Sequence, residues 1–152
     1  MKSILLSFSP DWFEKLSNGE LKFEYRKNIP EGPVLVYFYV SRPIKAIMGV
    51  AHFGKREMLE DWISKYGGRS ENVRQRILEY MEDCRYASPI YSFQMIQPIL
   101  LSQMQQAFSN FVVPRMYYYL NGDLLRYIEQ NCIPIGQPII NTFEELLDED
   151  IC

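Results

Sequence analysis

The most informative pattern of hydrophobic and polar positions lies at residues 19–27, where charged and apolar residues alternate from Glu20 to Arg26. Because successive side chains of a strand point to opposite faces, this pattern predicts a strand with two unlike faces. The predicted core face contains Leu21, Phe23 and Tyr25. The other face contains Lys22, Glu24 and Arg26, at a spacing of about 6.6 Å. Such a row can bind one polar ligand, but alternating charges also cover the solvated face of ordinary antiparallel sheets.

Apolar runs predict further strands at residues 3–8, 34–40, 44–53 and 91–96. The run at 34–40 is apolar on both faces, which is typical of a central strand. Gly49 interrupts the next run and indicates a bulge or a close approach of the backbone to a neighbour.

Helical signals lie between these strands. Ser9 can cap a helix that has Pro10 in its first turn and ends near residue 18, and its predicted buried stripe contains Trp12, Phe13 and Leu16. Further helices are predicted at residues 58–66, after Ser70, and at 121–131, whereas residues 98–119 fit either element. Five or six strands and three or more helices without regular alternation favour an α+β fold.

Composition and charge set the domain count and the possible partners. The chain has 152 residues, 47% of them hydrophobic, which predicts a single domain over residues 1–152. The net charge of −3 is unevenly spread: residues 1–56 carry a net +4 and residues 57–152 a net −7. The basic part coincides with the charged strand, while residues 141–152 form an acidic segment that is expected to be a solvated face or tail.

Several kinds of site are absent from the sequence. The three cysteines (Cys84, Cys132 and Cys152) are scattered and His52 is the only histidine, so we expect no metal, no disulfide framework and a reduced, cytoplasmic protein. The first apolar run is too short for a signal peptide or a membrane span. Motifs for phosphate-binding loops, dinucleotide folds, zinc proteases and α/β-hydrolases are missing, and no cofactor is predicted.

Residues 19–26 resemble the signature strand of ASCH domains, G-x-K-x-x-E-x-R. Gly19, Glu24 and Arg26 match in register, whereas Leu21 occupies the motif's lysine position and the lysine is displaced to Lys22. The flanking segments ILLSFSPDWFEKLSNGE, VYFYVSRPIKAIMGVAHFG and VVPRMYYYL also resemble this family, so the similarity extends over residues 1–125.

The resemblance implies a PUA-like mixed or antiparallel β-barrel of five to six strands with flanking helices. It also implies a cleft beside the first helix that binds RNA or another nucleic acid, including in transcriptional regulators. Arginine suits phosphate or a guanine edge, lysines add point charges, and a carboxylate can accept from a base amino group. The predicted nucleic-acid-binding residues are Lys22, Glu24, Arg26, Lys27, Ser41, Arg42 and Lys45, with Lys55 and Arg56 extending the positive surface and Tyr25, Tyr37, Tyr39, Tyr117 and Tyr118 offering faces for base stacking.

Two alternatives remain open at this point. Some ASCH relatives resemble amidohydrolases that act on acylated nucleosides, in which case Lys22 and Glu24 are the catalytic candidates. Lys22, however, is shifted by one position, which sends its side chain to the opposite strand face unless a bulge restores it. A sensor of a small nucleotide-like ligand is the second alternative. Nuclease activity requires a metal or a general base that the sequence does not identify.

Overall fold

A mixed β-sheet that curls into a half-barrel, with helices packed on both faces, forms the framework of the protein. The computed structural model describes residues 1–151. In this part of the chain the strands are β1 Lys2–Phe8, β2 Phe23–Arg26, β3 Val34–Val40, β4 Ala46–Phe53, β5 Glu57–Met58, β6 Tyr86–Leu100, β7 Tyr117–Leu120 and β8 Ile139–Ile140. The helices are α1 Pro10–Ser17, α2 Leu59–Tyr66, α3 Glu71–Asp83, α4 Leu101–Ala107 and α5 Gly122–Gln130, followed by a 3-10 helix at Asp148–Ile151.

The sheet order is β2-β6-β4-β3-β1-β7, with β5 and β8 also paired to β6. Strands β1 and β3 are parallel, and the other pairs are antiparallel. The long β6 pairs with β2 through its first residues and with β4 through the rest. The α+β class with a curled mixed sheet is therefore confirmed.

Local signals located most elements correctly. The Ser9 hydroxyl accepts from the Trp12 N–H at the start of α1, as predicted. At Gly49 the register of β4 shifts, and a Cβ atom there would lie 2.7 Å from the Phe93 ring, so a side chain is sterically excluded. The strand predicted at residues 91–96 is only the middle of β6, and the ambiguous segment contains α4 and β7.

The prediction that one core receives Leu21, Phe23 and Tyr25 is wrong. Leu21 packs with α1 and the sheet, whereas Phe23 packs with Trp62 in the layer formed by α2 and α3. The reason is that β2 begins only at Phe23, so the alternation of a strand does not extend back to Leu21. A third cluster joins the other sheet face to α4 and α5.

Among the helices of residues 1–151, none combines the length and the apolar character that a bilayer crossing needs. Within the same residues, no group of three or more histidine, cysteine or carboxylate side chains is spaced to hold a metal ion. Cys152 lies outside the described residues.

Candidate functional site

A cavity of about 550 Å³ lies beside β2, between the end of β1, α1 and α3. This volume falls within the range of about 300 to 1,000 Å³ that is usual for small-molecule and cofactor sites. Its charged lining residues are Glu24, Arg26 and Lys27 from β2 and its end, and Glu79 and Asp83 from α3. Its aromatic and apolar lining residues include Phe8, Trp12, Leu21, Phe23, Tyr25 and Tyr80.

Arg26 presents its guanidinium to this cavity in a fixed position. Its Nη2 donates to the Ser7 carbonyl over 3.2 Å, and its Cζ lies 5.6 Å from the centroid of the Phe8 ring. Its Nε is buried and forms an ion pair with Glu24 Oε1 at 3.6 Å, but within residues 1–151 it has no hydrogen-bond partner. A buried donor without a hydrogen bond is costly, so an acceptor that reaches this group is bound favourably.

Glu24 sits beside Arg26 with only 14% of its side chain exposed. Burial raises the pKa of its carboxyl to about 7. The charge of Arg26 and the hydrogen bond that Glu24 accepts from the Tyr25 N–H act in the opposite direction and lower this pKa. Near neutral pH this carboxyl therefore gains and loses a proton readily. It can act in acid-base chemistry, or it can donate a hydrogen bond when protonated and accept one when ionised.

Two tyrosines form a rigid wall of the cavity. The rings of Tyr25 and Tyr80 stack with centroids 3.8 Å apart and an interplanar angle of 9°. The Tyr25 hydroxyl donates to the Ile151 carbonyl over 2.7 Å, and burial raises the pKa of both phenols. Both hydroxyls therefore stay protonated at neutral pH, and their positions are set by packing.

No protein-family model matches the chain. It is similar to a curated protein from Zymomonas mobilis described as an ASCH domain-containing ribonuclease, with 27% identity over 130 residues that cover 80% of this chain and 86% of the relative. The crystal structure of ASCH from the same organism superposes with a TM-score of 0.65, at 24% identity and covering 86% of this chain and 96% of that one. The chain folds as an ASCH domain.

A more distant solved structure, that of Rpa0253 from Rhodopseudomonas palustris, superposes on this ASCH domain with a TM-score of 0.52. It has 10% identity and covers 87% of this chain and 93% of that one. This likeness concerns the fold alone.

Lys22 does not line the cavity of the ASCH domain, although it belongs to the predicted charged row. Its Nζ donates to the Thr142 carbonyl over 3.0 Å and lies 3.5 Å from Asp150. The row is broken because Lys22 precedes β2 and is held by the segment 141–151. For an amidohydrolase, Lys22 would have to reach the bound substrate, and this pairing directs it elsewhere.

The other predicted binding residues separate into two groups. Lys27 is exposed and lines the cavity. Ser41, Arg42 and Lys45 lie on the exposed turn between β3 and β4 and do not line it. The Ser41 N–H donates to the Phe8 carbonyl over 3.0 Å, so this turn begins next to a lining residue. Nucleic-acid binding by all of these residues stays a prediction.

Sequence reasoning missed or misplaced several side chains of this ASCH domain. Trp12 is 48% exposed at the cavity and lies under Lys15 Nζ at 4.6 Å, so its placement in a buried stripe is wrong. Of the tyrosines suggested for stacking, Tyr37 and Tyr39 are buried against α4 and α5, where no base can reach them. Glu79 and Asp83, which α3 brings to the cavity, were not identified from the sequence.

Proposed function

We propose that this ASCH domain binds single-stranded RNA and holds one unpaired nucleotide in the cavity beside β2. The observation that carries the proposal is the Arg26 guanidinium, which lines the cavity and is fixed by the Ser7 carbonyl on one side and by the ion pair with Glu24 on the other. A planar fork of N–H donors matches the oxygens of a phosphate. The Zymomonas relative, described as a ribonuclease, supports RNA as the class of nucleic acid.

The distribution of charge around the cavity fits a whole nucleotide better than a bare phosphate. Arg26 and Lys27 supply positive charge on the β2 side, while Glu79 and Asp83 bring negative charge on the α3 side. The cations would bind the phosphate, and the carboxylates can accept from an exocyclic amino group, as carboxylates do from cytosine N4. This arrangement favours adenine or cytosine over uracil.

Aromatic side chains supply the remaining requirement for an unpaired base. Trp12 is partly exposed at the cavity, and Phe8, Phe23 and Tyr80 line it. Proteins that recognise single-stranded RNA stack splayed bases on such rings, at about 1 to 3 kcal/mol per base. The tight stack of Tyr25 on Tyr80 keeps one wall in place before a ligand arrives.

Arg26→Ala should weaken binding of a fluorescein-labelled single-stranded RNA by about 10- to 100-fold, the range expected for lost hydrogen bonds to a charged group. The slope of log affinity against log salt should fall by about 0.7, the contribution of one phosphate contact in a single strand. Fluorescence anisotropy at several salt concentrations measures both quantities.

The matched control is Lys22→Ala, which removes a positive charge four residues away that is paired with Asp150 outside the cavity. It should change RNA affinity less than threefold. Arg26→Lys, which keeps the charge but loses the fork, separates loss of geometry from loss of folding. Equal losses for Lys22→Ala and Arg26→Ala, or no loss for either, would contradict the assignment of this cavity.

Cleavage of the bound RNA is a second candidate function, favoured by the acid-base character of Glu24. In this reaction the Glu24 carboxylate takes the proton of a ribose 2′-hydroxyl, and the 2′-oxygen attacks the adjacent phosphorus. The bond from phosphorus to the 5′-oxygen breaks, and that oxygen takes the proton back from the Glu24 carboxyl. The products are a 2′,3′-cyclic phosphate and a free 5′-hydroxyl, and Arg26 would stabilise the charge that develops on phosphorus.

Glu24→Gln should leave RNA affinity within threefold of the parent but lower the cleavage rate by about 10²- to 10⁴-fold, the usual contribution of a positioned general base. Because the base must be ionised, the parent rate should rise with pH up to about 7, the pKa of Glu24, and then level off. Gel analysis of end-labelled RNA measures the rate. Unchanged cleavage in Glu24→Gln, or equal cleavage of a DNA strand that lacks the 2′-hydroxyl, would contradict this candidate.

A further inference from the structure

A second positive surface lies next to the cavity, around the ring of Tyr86. Arg56 Cζ lies 4.0 Å and Arg85 Cζ 5.6 Å from the centroid of this ring. Together with Lys55 and Glu31 these side chains border a depression of about 290 Å³. We call the group formed by Lys55, Arg56, Arg85 and Tyr86 the Tyr86 surface.

This surface is joined to the cavity through the β2–β6 ladder. Tyr86 is the partner of Arg26 in that ladder, and the Arg85 N–H donates to the Arg26 carbonyl over 3.1 Å. Neighbouring strands lie about 4.8 Å apart, so the Tyr86 surface begins one strand away from Arg26, the residue proposed to bind the phosphate. Lys27, exposed at the end of β2, adds a cation beside this junction.

The two arginines are prepared for phosphate oxygens. Stacking of a guanidinium on a ring uses its face and leaves the N–H donors at its edge available. Arg56 is further fixed because its Nη1 donates to the Ile29 carbonyl over 2.7 Å, while Arg85 is exposed. This ordering lowers the conformational entropy that binding would otherwise cost.

Glu31, the acidic residue that borders this depression, offsets little of its charge. Glu31 lies 3.5 Å from Lys55 Nζ, but the two side chains are 68% and 72% exposed. An ion pair so exposed contributes little and is readily exchanged for another partner. The surface therefore keeps the positive charge of Arg56 and Arg85.

We infer that the Tyr86 surface binds the phosphodiester backbone of nucleotides that adjoin the one held in the cavity, so that the RNA strand passes from Arg26 to Arg85 and Arg56. The inference rests on the proposed function, because it extends the same strand beyond the cavity. RNA affinity then has two contributions. The cavity binds one nucleotide, and the Tyr86 surface adds a contribution that depends on the length of the RNA strand.

The test compares adenosine 5′-monophosphate with an oligoadenylate of about eight nucleotides, within the usual site sizes of single-strand binders. Arg85→Ala and Arg56→Ala should each weaken oligoadenylate binding by about 3- to 10-fold and lower its salt slope by about 0.7. Binding of the monophosphate, which occupies only the cavity, should be unchanged. Calorimetry measures the monophosphate and anisotropy the oligoadenylate.

Arg126→Ala is the charge-matched control, because Arg126 lies on α5 and pairs with Asp123 rather than facing the cavity. It should leave both affinities and the salt slope unchanged. Since Arg56 also donates to the Ile29 carbonyl, the substitution of the exposed Arg85 to Ala keeps the test valid if Arg56→Ala does not fold.

The outcomes separate this inference from the proposed function. If Arg85→Ala leaves oligoadenylate binding and its salt slope unchanged while Arg26→Ala weakens both probes, the Tyr86 surface is rejected and the cavity is retained. If Arg26→Ala weakens neither probe, the proposed function itself is rejected.

Discussion

Glu24→Gln should raise the free energy of unfolding by about 3 kcal/mol at pH 8, because the parent must bury an ionised carboxylate there. The pKa of Glu24 is raised from 4.5, the value of an unperturbed glutamate, to about 7 in the folded protein. Between these values the folded state binds more protons than the unfolded state, so parent stability falls as pH rises from about 4.5 to 7 and stays lower above that. Glutamine has no such penalty.

The gain should therefore depend on pH, shrinking to below about 1 kcal/mol at pH 5, where the folded carboxyl is protonated. Urea unfolding followed by circular dichroism at both pH values measures the difference. Glu14→Gln, on the exposed side of α1, is the control and should show no such growth with pH. A Glu24→Gln effect of equal size at pH 5 and pH 8 would mean that packing, and not ionisation, determines it.

Ile151→Ala should lower the free energy of unfolding by about 2 to 4 kcal/mol, the usual cost of truncating a buried isoleucine. Ile151 is fully buried among Phe23, Trp62 and the helices α2 and α3. Its carbonyl also accepts from Tyr25, so the loss should extend to the wall of the cavity. Denaturant unfolding measures the stability of the variant.

Leu147→Ala is the matched control within the same acidic segment, because Leu147 is 57% exposed. This substitution should lower the free energy of unfolding by less than about 0.5 kcal/mol. Equal stabilities of the two variants would show that residues 141–151 behave as the solvated tail expected from their charge. A larger loss of stability in Ile151→Ala than in Leu147→Ala would show that the segment is part of the folded domain.

Local patterns predicted the elements that local chemistry determines. The Ser9 cap, the end of α1 near Gly19 and the close approach at Gly49 each depend on neighbouring residues or on the absence of a side chain. Glu24 and Arg26 were likewise placed together correctly, because both belong to β2 and are two residues apart.

Long-range contacts explain what the sequence could not predict. Lys22 leaves the charged row because Thr142 and Asp150, about 120 residues further along the chain, bind its ammonium group. Nothing in residues 19–27 signals this pairing. The α3 wall of the cavity and the exposure of Trp12 depend equally on tertiary packing, which the periodicity of a single helix does not specify.

The position of β2 in the sheet has a consequence for motion near the cavity. Within residues 1–151, β2 is a terminal strand paired with β6 alone, whereas β3 is paired on both sides. Opening β2 disrupts a single four-residue ladder, so its amide hydrogens should exchange with solvent through local fluctuations that cost far less than global unfolding. The cavity residues of β2 thus belong to a short terminal strand that opens more easily than the seven-residue parallel pair of β1 and β3.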